Sequence, residues 1–142
     1  METAVEEQQF VVIVLGSERY AIHISEIYEI IKMQEITAVP KSQSFLEGVT
    51  NLRGKILPVI SLRRRFGMEP AAKSKHMRIV VAKFEEELVG IVVDAVEQVT
   101  VFHEIHPPSD TASSVDRTFF QGIGILGEEI TCVLNIEHVL AG

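Results

Sequence analysis

Short apolar stretches recur along the chain, and nearly all have the length of a strand. Residues 10–15, FVVIVL, form an unbroken run of β-branched and aromatic side chains, too short for a helix to be preferred. Gly16-Ser-Glu18 follows as a turn, and residues 19–24 then alternate polar and apolar as a half-buried strand does, so the two predict a β-hairpin. The same signals predict strands at 49–52, 56–60, 78–84, 88–93, 96–102, 119–126 and 130–134. Helical signals are fewer. Ile24, Ile27 and Ile31 fit a period of 3.6 residues, and 44–47 reads as one helical turn ended by Gly48. Segments 62–66 and 136–140 read as short amphipathic helices, capped by Ser61 and Asn135, whose side-chain oxygens can accept from an unpaired helical N–H. Many short strands without long crossover helices predict a mainly β protein built of small barrels rather than an open parallel sheet.

The apolar pattern also repeats. Residues 20–30 align with 89–99 at an offset of 89 − 20 = 69, apolar positions 22, 24, 27 and 30 meeting 91, 93, 96 and 99. Residues 56–62 align with 130–136 at an offset of 130 − 56 = 74, each copy running into a capped helix. The chain therefore reads as two related β halves, about 9–68 together with the C-terminal segment and about 76–140, with a boundary in the polar stretch 69–75. A half of that size buries little core by itself, so the two are expected to lean on one another.

Composition narrows the class. The chain has 142 residues, 46% hydrophobic and 23% charged, the balance of an ordinary globular domain. Its charge is 13 − 20 = −7, which argues against nucleic acid as partner and against a polybasic membrane anchor. No apolar run reaches the ~18–20 residues of a membrane span. The acidic start METAVEEQQ is unlike a secretory signal, and the single Cys132 excludes an internal disulfide, so a cytoplasmic location is expected.

Several tempting motifs fail their chemical context. Gly122-Ile-Gly-Ile-Leu-Gly127 spells the dinucleotide fingerprint, but it leads into a strand, where that mechanism needs a helix N-terminus, and two acids follow it. His103-Glu-Ile-His106 precedes two prolines without companion ligands and is expected in a solvated loop. Cys132 lies in an apolar strand and is expected to be a small core residue, and Ser61 is expected to cap a helix rather than attack a substrate. No enzyme, metal or cofactor is expected. The basic concentration Arg53, Lys55, Arg63, Arg64 and Arg65 invites two readings, a solvated helix face for 63–65 or a patch for an acidic partner. Arg53 differs from the rest because Gly48 and Gly54 bracket its segment, which marks it as a candidate partner contact.

Gly48-Val-Thr-Asn-Leu-Arg-Gly54, with Ile56-Leu-Pro-Val-Ile60 and Leu62-Arg63, resembles the signature segment of the CheW coupling proteins of bacterial chemotaxis. The resemblance continues through Gly90-Ile-Val-Val-Asp94, Gly122–Gly127 and Asn135-Ile-Glu137, over about residues 9–140. Ser61 stands where the family usually has Asp, and both residues cap helices. The resemblance implies one CheW-like domain over 1–142. Its fold would be two small five-stranded barrels, SH3-like or OB-like, around a shared hydrophobic core. It further implies a non-catalytic adaptor linking the cytoplasmic tips of methyl-accepting chemoreceptors to the histidine kinase CheA, recruited to membrane-associated receptor arrays without entering the membrane. The receptor groove would involve Ile27, Glu29, Gly48, Val49, Asn51, Arg53 and Gly90, with Glu29 and Arg53 as an ion pair. The kinase's regulatory domain would dock through hydrophobic residues at a barrel end, largely of the second half, with no single residue assigned. The same adaptor in another pathway, such as pilus-based motility, is the alternative. A start at Met1 and an end just past the last helix argue against a piece cut from a larger kinase. A ligand-binding β-barrel is the rival from a different class.

Overall fold

The computed structural model describes residues 8–108 and 116–141, and the acidic start, residues 1–7, lies outside them. Eleven strands and two short helices account for most of these residues. The first hairpin is β1 (Gln9–Leu15) and β2 (Glu18–His23). A 3-10 turn, Ile24–Glu26, carries the chain into β3 (Ile27–Lys32). β4 (Leu46–Leu52) and β5 (Lys55–Ser61) form the second hairpin and run into α1 (Leu62–Arg65). The second half repeats this order: β6 (Arg78–Phe84), β7 (Glu87–Val93), β8 (Ala95–Val101), the two-residue β9 (Ile105–His106), β10 (Phe120–Leu126), β11 (Glu129–Leu134) and α2 (Ile136–Leu140).

The strands make two sheets. One has six strands in the order β8-β1-β2-β11-β10-β9, the other five in the order β3-β6-β7-β5-β4. The internal repeat explains this order. Replacing β1, β2, β8, β11 and β10 by their repeat partners β6, β7, β3, β5 and β4 converts the first sheet into the second. Both sheets accordingly contain one parallel pair, β11 with β2 and β5 with β7. The repeat and the sheets divide the chain differently, because each copy crosses the seam after its first hairpin and places its remaining strands in the other sheet. The first hairpin of each copy is completed by strands of the other, so neither copy builds a sheet alone.

Strand alternation then fills three cores. Val11, Ile13 and Leu15 of β1 meet Val80 and Ala82 of β6 and Val139 of α2 in a large core shared by both sheets. The alternate residues Ile79 and Val81 point into a small core of the five-stranded sheet with Leu52, Leu57 and Val59. Phe10 points likewise into a small core of the six-stranded sheet with Ala21, Phe102 and Val133. A strand buried on both faces has no polar face to show, hence the continuous runs FVVIVL and IVVA.

Four expectations need correcting. Ile24, Ile27 and Ile31 do not lie on a helix: only 24–26 turn, and β3 follows with a bulge between Ile27 and Glu29. The bulge offsets the strand's alternation, which is why its isoleucines imitate a helical period. Residues 44–45 are a turn and β4 already starts at Leu46, so Gly48 lies inside a strand rather than at a helix end. His106 belongs to β9, paired with Ile123, and not to a loop. The sheets, moreover, are not closed five-stranded barrels. The five-stranded sheet curls without closing: after β3 the chain reaches the far edge, where Thr37 and Val49 exchange main-chain hydrogen bonds of 2.8 and 2.9 Å.

Candidate functional site

The signature segment lies in the β4–β5 hairpin. Leu52 pairs with Lys55, leaving Arg53 and Gly54 as a two-residue turn with φ of 50° and 86°. Two successive positive φ values define the turn that matches the right-handed twist of a hairpin. Asn51 holds it by accepting from the Gly54 N–H at 2.8 Å. The equivalent turn of the second copy has Gly127 at the place of Arg53, with φ 66°. Arg53 thus occupies a backbone conformation for which its own repeat uses glycine, and such strain tends to be kept where a side chain is needed.

Glu29 and Arg53 do form the expected ion pair. Arg53 Nη1 donates to Glu29 Oε2 at 3.3 Å and Nη2 to Glu29 Oε1, a two-pronged contact that raises the Arg53 pKa. Glu29 belongs to one edge strand of the sheet and Arg53 to the turn beside the other edge, so the pair bridges the open seam of the curled sheet. The Arg53 side chain remains 64% exposed, against 27% for Glu29, so it is oriented yet reachable. Its repeat equivalents, Gln98 and Gly127, cannot make this contact.

The other candidate residues separate by role. Val49 and Asn51 line an open cleft of about 440 Å³ with Gln34, Thr37 and Ile56. Gly48 is buried with φ 151°, and a Cβ there would sit 2.2 Å from the Thr37 carbonyl oxygen, so this glycine admits the segment that reaches across to β4. Ile27 packs against the large core. Gly90 is buried inside the five-stranded sheet, where a Cβ would lie 2.7 Å from Ile79 and 3.3 Å from Leu57 and Val59. Four candidates therefore reach the surface at the Arg53 end, while Ile27, Gly48 and Gly90 support it from behind.

Sequence reasoning missed two exposed apolar residues here. Ile56 is 75% exposed and Tyr28 is 52% exposed, and both line a second cleft of about 710 Å³ with Arg53, Lys55 and Pro58. The alternation within β5 points Leu57 and Val59 inward, which leaves Ile56 outward, so that signal was present in the sequence. Tyr28 had no such signal, because it is the residue at the bulge.

Arg63, Arg64 and Arg65 are engaged within the protein, and neither reading holds for Arg63 and Arg65. Arg63 Nε and Nη2 donate to the two oxygens of Asp94 at 2.9 and 2.6 Å. Arg65 stacks over Phe45 and Phe119 and donates to the carbonyls of His138, Val139 and Ala141. Arg64 stands 3.7 Å from Glu47. Ser61 and Asn135 cap α1 and α2 as expected. Two of the G-x-G-x-x-G glycines serve packing, since Cβ atoms at Gly122 and Gly124 would lie 2.4 Å from Ile105 and 2.6 Å from Phe102, and Gly127 serves the turn at φ 66°. Cys132 is half-buried against the large core, and burial pushes its thiol pKa up, the reverse of what a nucleophile needs. No helix among the described residues is long and apolar enough to cross a membrane.

Comparison with known proteins identifies the family. The family model of the CheW-like domain matches residues 9–142. The chain is 34% identical over 136 residues to the chemotaxis protein CheW of Klebsiella aerogenes, covering 94% of this chain and 82% of that one. It is 29% identical over 139 residues to the protein FrzA of Myxococcus xanthus, covering 94% and 86%. The crystal structure of the scaffolding protein TtCheW from Thermoanaerobacter tengcongensis superposes with a TM-score of 0.89 at 31% identity, covering 100% of this chain and 95% of that one. With family model, relatives and solved structure in agreement over nearly its whole length, the chain belongs to the CheW-like domain family and is a non-catalytic chemotaxis adaptor.

Proposed function

We propose that the protein couples the cytoplasmic tips of methyl-accepting chemoreceptors to the histidine kinase CheA, with the receptor's helical hairpin engaging the Arg53 end of the five-stranded sheet. The Glu29–Arg53 pair carries this reading, because it is an oriented, accessible cation absent from the repeat-related position. A helix lying in a groove needs apolar anchors beside a few oriented polar groups. Ile56, Tyr28 and Val49 supply the first, Arg53 and Asn51 the second. The kinase's regulatory domain docks at hydrophobic hairpin ends. Ile125 and Ile130, paired across β10 and β11, are 53% and 61% exposed at the end of the six-stranded sheet and supply an apolar face in the second half of the chain. Contacts that must form and rearrange during signalling suit interfaces below about 1,200 Å² and micromolar affinity. Recruitment to receptor arrays follows from receptor binding and needs no membrane segment.

A pull-down against CheA and chemoreceptor cytoplasmic fragments is the first test. Capture of both supports the adaptor, and capture of neither overturns it. The similarity to FrzA favours a second reading, the same adaptor role in another chemosensory pathway. Preference for one receptor set over another in that pull-down separates the two.

A further inference from the structure

The two halves repeat one another in backbone, but the polar contacts across their seam are one-sided. On one side, α1 reaches the six-stranded sheet twice. Arg63 grips Asp94 at the β7–β8 crossover, and the same carboxylate accepts from the Gly16 N–H at 2.7 Å in the β1–β2 turn. Arg65 holds the last carbonyls of α2. The Asp94 N–H adds a main-chain bond of 3.0 Å to Val14 of β1.

The repeat offsets identify the opposite side. Positions 63 and 65 correspond to Glu137 and Val139 (63 + 74 and 65 + 74), and 94 and 16 correspond to Ser25 and Glu85 (94 − 69 and 16 + 69). None of these can reproduce the clamp. The Ser25 N–H bonds locally to His23 Nδ1 at 3.1 Å instead of crossing to another strand. Beside it, Glu26 Oε1 is buried without a hydrogen-bond partner. The charged group acting on Glu26 is Glu137 of α2, another acid.

We propose that the seam is a hinge, pinned by α1 through Arg63 and Arg65 and free to open at the Ile24–Glu26 turn, where the buried Glu26 Oε1 has no hydrogen-bond partner and the repeat counterpart of Arg63 is the acid Glu137. Burial first, and then the Glu137 charge, raise the Glu26 pKa, so the fold disfavours the ionised carboxylate on this side. β3 begins at the next residue and carries Glu29, so the free side of the hinge holds the candidate partner site. The hinge follows from seam geometry alone and does not depend on the adaptor reading.

Native-state hydrogen exchange of the full chain tests it, because the two crossovers serve as internal references for one another. The Ser25 and Glu26 amides should exchange faster than those of Asp94 and Ala95. Glu137→Arg, which restores the missing cation, should slow Ser25 and Glu26 roughly two- to fivefold, the range of a single exposed to half-buried ion pair. Glu137→Gln, which keeps size and removes charge, should shift them less in the same direction. Equal protection of the two crossovers in the native protein would overturn the proposal. So would unchanged or faster exchange in whichever of the two variants folds.

Discussion

Arg53 sits in a left-handed turn where the second copy has Gly127, so its side chain and its backbone pull in opposite directions. Arg53→Gly should therefore leave Tm unchanged or raise it, relief of such a backbone being worth about 1 kcal/mol, while receptor binding falls sharply. Thermal unfolding beside receptor pull-down reads both, and a loss of fold would show the turn to be needed for structure. Thr131 is the converse case. Its hydroxyl is buried without a partner, at the repeat position of Leu57. Thr131→Val should stabilise the protein by about 1 kcal/mol in denaturant unfolding, because a buried unsatisfied hydroxyl is exchanged for a methyl of similar shape. Asp94 gives a pH signature. Its hydrogen bond from Arg63 lowers its pKa, so the folded state binds that proton less readily than the unfolded chain does. The resulting stability is full above the unfolded carboxyl value, about 3.9, and is lost as pH falls below it. Asp94→Asn should thus melt lower than the native protein at pH 7, the difference shrinking below about pH 4. Much of this chemistry was legible: Asn-Leu-Arg-Gly pointed to the turn, and Ser61 and Asn135 to the caps. The Asp94 partner of Arg63 and the α2 carbonyl partners of Arg65 were not, because they lie 31 and 73 to 76 residues away, where no local pattern reaches.

Strands announce themselves where both faces are buried or where alternation is unbroken, and β1, β6 and β7 were predicted almost to the residue for that reason. β3 was misread because a bulge breaks its period, and β9 escaped because two residues carry no period at all. Glycines divide by the same logic of packing. Gly90 belongs to the signature-like set, but its surroundings are Ile79, Leu57 and Val59 in the small core. Gly90→Ala should cost about 1–3 kcal/mol of stability through overpacking, read as a lower denaturant midpoint. An unchanged midpoint would remove Gly90 from the core and return it to the groove.

In the whole molecule the repeat has a mechanical consequence. Each copy splits after its first hairpin and places its remaining strands in the other sheet, so the halves share one large core and form an interlocked body. That interlock was invisible in the sequence, where the copies follow one another and suggest two separate barrels. This body exposes apolar residues at two hairpin ends, Ile56 beside Arg53 on one sheet and Ile125 with Ile130 on the other, the two surfaces proposed above for partners. An adaptor must connect two such surfaces through one body, and the shared core does that. The most direct test is kinase autophosphorylation in a reconstituted mixture of receptor fragments, CheA and this protein, comparing the native chain with Arg53→Gly. The native protein should activate the kinase, and the folded variant should leave it near the level seen without adaptor. Full activation by Arg53→Gly, or none by the native protein, would contradict the account.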